Sequence, residues 1–69
     1  MSKQITKLFY FLENFDIENN LEIMDEEGVV LFTGKVGDVP QRISNSRTVV
    51  PGSVFNHGDY LSVKVKTDN

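Results

Sequence analysis

An α+β domain is the fold that this sequence predicts, with an N-terminal helix packed on a small antiparallel sheet of two hairpins and a short helical turn between the hairpins. Three patterns carry the expectation: apolar residues at three- and four-residue steps near the start, two β-rich runs flanking an acidic turn, and clean alternation near the end. With 69 residues, the chain is read as one domain, 1–69, that buries a smaller share of its surface than a longer chain would. Its 39% hydrophobic residues, five Phe and two Tyr among them, are enough to close a core, and 25% charged residues is ordinary for a globular protein.

Ile5, Leu8, Phe9, Leu12 and Phe15 gather on one stripe if 3–14 is helical, with Ser2 as the N-cap. Lys3, Lys7, Tyr10 and Asn14 then fall on the opposite face and Phe11 on the border, which makes Tyr10 the exposed aromatic. Next, 21–24 and 29–33 read as strands around Asp25-Glu26-Glu27-Gly28, a type I turn that puts Gly28 at positive φ. Pairing Met24 with Val29 sets Ile23 against Val30 and Leu21 against Phe32. A bulged three-residue loop shifts that register, and the residues alone leave both open.

Asp38-Val39-Pro40-Gln41 has the form of a capping box, with Pro40 in the first turn and Val39 and Ile43 on the face turned to the sheet. Beyond the polar Ser44-Asn45-Ser46, the runs 48–50 and 53–55 look extended but are interrupted by Pro51-Gly52. Since Pro51 has no N–H to give a ladder, this segment is expected to be bent, bulged or at an edge. Asn56-His57-Gly58-Asp59 turns the chain into 60–66, where Leu61, Val63 and Val65 face one way and Tyr60, Ser62, Lys64 and Lys66 the other.

Charge is uneven. Seven acids and two bases lie up to Glu27, three acids and five bases beyond it, for a net −3. That balance disfavours general polyanion binding. With no Cys, neither disulfides nor a thiolate metal site can reinforce so small a core, which leaves room for self-association. Met1-Ser2-Lys3-Gln4 leads into a pattern broken by Lys7 and Glu13 rather than into an apolar leader, and no apolar run is long enough to span a bilayer. A cytoplasmic protein without a membrane partner is expected.

Ile23, Asp25, Gly28, Val30-Leu31-Phe32, Gly34, Val36 and Asp38-Val39-Pro40, following the helix, resemble a group of short uncharacterised proteins encoded by phages and prophages of Gram-positive bacteria. The resemblance covers roughly the first two thirds of the chain and rests on turn glycines, strand hydrophobics and a helix cap. The second hairpin matches it only as a pattern, and Pro51-Gly52 departs from it. It implies a phage context, in the cytoplasm of a bacterial host, with no activity or site residues to carry over.

Catalytic and cofactor signals are weak. His57, the single histidine, sits in a turn with only its neighbour Asp59 for a partner, and no Ser lies in a nucleophile-elbow context. Asp25, Glu26 and Glu27 run straight into a strand rather than into the alternating ligands of a calcium loop. Gly34-Lys35-Val36 lacks the earlier glycine and the hydroxyl of a phosphate loop. The expectation is therefore a non-enzymatic accessory protein, without a cofactor, that binds a host or phage protein through Tyr10, Phe11 and Met24. The alternative is a nucleic-acid module using Arg47, Tyr60, Lys64 and Lys66, with Tyr60 stacking on a base. A small hydrolase would need a partner chain to complete its site.

Overall fold

A computed structural model describes residues 6–67 of the chain. The elements in order are α1 (Leu8–Leu12), β1 (Asn20–Met24), β2 (Val30–Lys35), a 3₁₀ turn (Val36–Asp38), α2 (Gln41–Ser44), β3 (Arg47–Val49), β4 (Phe55–Asn56) and β5 (Leu61–Thr67). The domain is α+β, but its five-stranded sheet is mixed rather than antiparallel. The order is β2-β1-β5-β3, with β4 also on β5. β1 and β5 run parallel, Leu21 beside Leu61 and Ile23 beside Val63, while the other ladders are antiparallel. Turn signals account for antiparallel pairs, but the parallel seam joins segments about forty residues apart and has no local signal.

Alternation along the two central strands defines the core. Leu21 and Ile23 of β1 and Val63 and Val65 of β5 are fully buried with Leu8 of α1, and Val36, Ile43 and Val49 close the cluster. Burying each of these large side chains contributes about 1.5–3 kcal/mol before chain entropy is set against it. Glu22, Met24, Ser62 and Lys64 point to the other face.

The first helix is shorter than its apolar pattern predicts. Lys7 is extended (φ −65°, ψ 146°) and bridges Thr48, and the Val49 N–H donates to the Thr6 carbonyl at 2.8 Å. Pairing with β3 takes Thr6 and Lys7 out of the helix. The expected N-cap Ser2, and Lys3 and Ile5, lie outside the described residues. The inward stripe is Leu8, Phe11, Leu12 and Phe15, with Phe11 and Phe15 in ring contact at 5.0 Å. Phe11 therefore belongs to the core side rather than to the border.

The acidic turn carries a G1-type bulge. Gly28 N–H donates to the Asp25 carbonyl at 3.0 Å, Asp25 N–H to the Val29 carbonyl at 2.9 Å, and Gly28 has φ +91°. Met24 thus pairs with Val30, not with Val29, and a further irregularity brings Ile23 opposite Phe32. The extra residue lets Leu31 and Phe32 both reach the core.

The capping box does not form. Asp38 ends the 3₁₀ turn, Val39 and Pro40 are extended, and Pro40 stands at the N-cap of α2 without a side-chain cap. The cause is steric, because a residue before proline is pushed out of the helical region. Ile43 is still buried, with Val39 packed against the same core.

Pro51-Gly52 forms a bulge between β3 and β4. Beyond Val50, whose N–H donates to the Lys64 carbonyl at 2.9 Å, the ladder on β5 is continued by a side chain: Ser53 Oγ accepts the Lys64 N–H at 3.1 Å and donates to the Val50 carbonyl at 2.7 Å. Phe55 and Asn56 then resume pairing with Ser62 and Leu61.

Candidate functional site

No described helix packs over the sheet face opposite the core, and the strand registers determine which side chains meet there. Thr33, Glu22, Ser62 and Phe55 form one row across β2, β1, β5 and β4, and Val30, Met24 and Lys64 form a second. Phe55 is 59% exposed, Val30 50% and Tyr60 38%. A face open to water ordinarily carries polar side chains.

The turn between β4 and β5 fixes the end of this face. Asn56 Oδ1 accepts the Gly58 N–H at 2.8 Å, and the His57 N–H donates to the Tyr60 carbonyl at 2.9 Å. The His57 ring stacks on Tyr60 with centroids 4.5 Å apart and planes 14° apart, while Nε2 lies 2.8 Å from Ser62 Oγ. That is the reach between a nucleophile and its base. Ser62 is only 3% exposed beneath this cover, however, so an acyl substrate has no approach to its hydroxyl. The arrangement fits a rigid aromatic platform better than a nucleophile.

The residues expected to bind protein are not brought together. Tyr10 is 58% exposed on α1, Phe11 packs against the core, and Met24 lies half-buried on the outer sheet face. The basic set is divided as well. Tyr60, Lys64 and Lys66 share the outer face by alternation, but Arg47 pairs with Thr67 on the other side, and its Nη1 donates to Ser46 Oγ at 3.1 Å and to the Arg42 carbonyl at 3.4 Å. Arg47 therefore anchors the end of α2.

At the far end of the sheet, the acidic turn and the basic strand end meet. Asp25, Glu26 and Glu27 line the same open hollow, about 180 Å³, as Arg47 and Lys66. The charge separation along the sequence is thus partly cancelled in space, which weakens any single-sign field for a polyanion. Asp25 Oδ1 accepts the N–H groups of Glu27 and Val29, both at 2.9 Å, so this carboxylate is engaged in shaping the turn. Among the described residues, no three His, Cys, Asp or Glu side chains form a group that could hold a metal ion, and no helix is long and apolar enough to cross a membrane.

Phe55 and Val30 are the members of this face that residue order does not reveal. Phe55 lies just past a proline-broken stretch, and only the register set by the His57-Gly58 turn gives it Ser62 as a partner. The unbulged register places Val30 against Ile23, on the core side, whereas the bulge turns it outward. Comparison with known proteins finds no matching family model, no similar curated protein and no similar solved structure, so the functional reading rests on the geometry.

Proposed function

We propose that this chain is a non-enzymatic protein-binding domain, a phage or prophage accessory protein working in the cytoplasm of its bacterial host, and that its contact surface is the outer face of the sheet. The observation that supports this reading is the placement of Met24, Val30, Phe55 and Tyr60 on one uncovered face. Aromatic and thioether side chains on a rigid support are efficient anchors, because large area is buried with few rotors to immobilise. The phage context rests only on the resemblance carried by the first helix and the residues from Ile23 to Pro40.

Lys64 and Lys66, on the same face of the chain as Tyr60 by alternation, favour a second reading, a single-stranded nucleic-acid platform. Affinity capture from a Gram-positive host lysate, with and without nuclease, separates the two. The protein reading expects a nuclease-resistant partner that is lost with Phe55→Ala or Tyr60→Ala and retained with Tyr10→Ala. Capture that is nuclease-sensitive and abolished by Lys64→Glu with Lys66→Glu sinks it and establishes the alternative.

A further inference from the structure

We propose that the open edge of β2 pairs antiparallel with the same edge of a second copy of this chain, giving a closed twofold dimer with a continuous sheet. The two sheet edges differ. On the β3/β4 side, Thr6 and Lys7 lie along β3, Pro51 offers no N–H, and β4 is only two residues long. Those are the usual protections of an edge. On the other side, β2 ends the strand order, and among the described residues nothing pairs with its outer edge.

Apart from Lys35 at its end, β2 also lacks the charges that keep an edge single. From Gly28 to Gly34 no charged residue or proline occurs, and Val29 and Val30 are at least half exposed. A short β-branched and aromatic run of this kind is a template for strand addition.

Charge selects the occupant and its direction. Asp25, Glu26 and Glu27 sit at one end of β2 and Lys35 at the other. Parallel pairing would bring two acidic turns together. Antiparallel pairing with Leu31 on the twofold axis sets residue 27 of each copy beside Lys35 of the other. Lys35 is held by Glu18 at 2.8 Å, but both side chains are more than half exposed, and an exposed pair of this kind is easily shared with a further carboxylate. Among the described residues each copy has one open edge, so association closes at two.

In this register Val30, Leu31 and Phe32 pair strand to strand, while residues 33–35 face residues 29–27 of the other copy, so the interface is small and the expected dissociation constant lies at about 0.1 to 1 mM. Sedimentation equilibrium of the full chain should show a concentration-dependent monomer–dimer equilibrium. Val30→Lys, with circular dichroism unchanged, should weaken it at least about tenfold. Lys35→Glu and the double variant Glu26→Lys/Glu27→Lys should each be impaired alone and dimerise when mixed, because only the mixed pair restores opposite charges at both ends. A monomer at about 1 mM overturns the proposal. So does a dimer that survives Val30→Lys, or one lost with Phe55→Ala, since association would then run through another surface. Loss of the captured partner with Phe55→Ala leaves β2 pairing intact, so this proposal and the outer-face reading fail separately.

Discussion

The hydroxyl of Ser53 stands in for a missing strand residue beside Lys64, accepting its N–H at 3.1 Å while its own proton is directed to the Val50 carbonyl 2.7 Å away. Ser53 is buried, so without the hydroxyl the Lys64 N–H loses its partner in a place water does not readily reach. Ser53→Ala is expected to cost about 1–3 kcal/mol in urea unfolding, and Ser53→Thr, which keeps the oxygen, to cost less. Equal losses in the two variants would show that the hydrogen bonds are not the cause.

Two glycines should fail for different reasons. Gly28 has φ +91° and open space within 4 Å of where a Cβ would stand, so Gly28→Ala meets backbone strain alone and should cost about 1–2 kcal/mol. A Cβ on Gly37 would lie 3.0 Å from Ile17 Cβ and 3.2 Å from the Ile17 carbonyl oxygen. The Gly37 N–H also donates to that carbonyl at 2.9 Å. Ile17→Ala keeps both the Cβ and the carbonyl oxygen and should not recover the Gly37→Ala loss, whereas Ile17→Gly removes the Cβ contact and should recover part of it; no side-chain change should rescue Gly28→Ala.

Ile23 lies between β2 and β5 at the centre of the core, fully buried and opposite both Phe32 and Val63. Ile23→Ala is expected to cost about 2–5 kcal/mol, a large part of the roughly 3–10 kcal/mol that a domain of this size has in total. Tyr10→Ala should change stability by no more than about 0.5 kcal/mol, since the side chain is mostly exposed. Thermal denaturation of the two variants side by side checks both statements.

The His57–Tyr60 stack should be measurable as a coupling. A double-mutant cycle with His57→Ala and Tyr60→Ala is expected to give about 0.5–1.5 kcal/mol beyond the sum of single changes. Strict additivity would mean that the rings only lie near each other and that the platform is not rigid.

Much of the fold is legible in residue order, and the rest depends on distance along the chain. The clean alternation of Leu61, Val63 and Val65 reveals which side of β5 is buried, because a pleated strand admits only two sides. Leu8, Leu12 and Phe15 fall on the inward stripe for a similar reason, through the helical period. The start of the helix is not legible, because the Thr6 carbonyl accepts from Val49 in β3, a distant part of the chain, and leaves Lys7 extended as the N-cap, its carbonyl taking the Phe11 N–H. The capping box fails to a rule that is itself local, the extended bias before Pro40, which outweighs the cap pattern of Asp38 and Gln41. The outer face is half visible. Tyr60, Lys64 and Lys66 follow from alternation, but the turning of Arg47 to the end of α2 and the pairing of Phe55 with Ser62 arise only when separate segments meet.

β5 lies between β1 on one side and β3 and β4 on the other, yet it follows every other strand in the chain. While the polypeptide is being synthesised, β1 and β2 can pair locally, but the other edge of β1 has no partner strand, and the core lacks Val63 and Val65, until β5 emerges. A nascent chain halted anywhere before β5 exposes its apolar strand faces, and those are what chaperones and proteases recognise. Ribosome stalling or premature termination before the last strand should therefore leave the core open, and such a fragment should be far more sensitive to proteolysis than the complete domain.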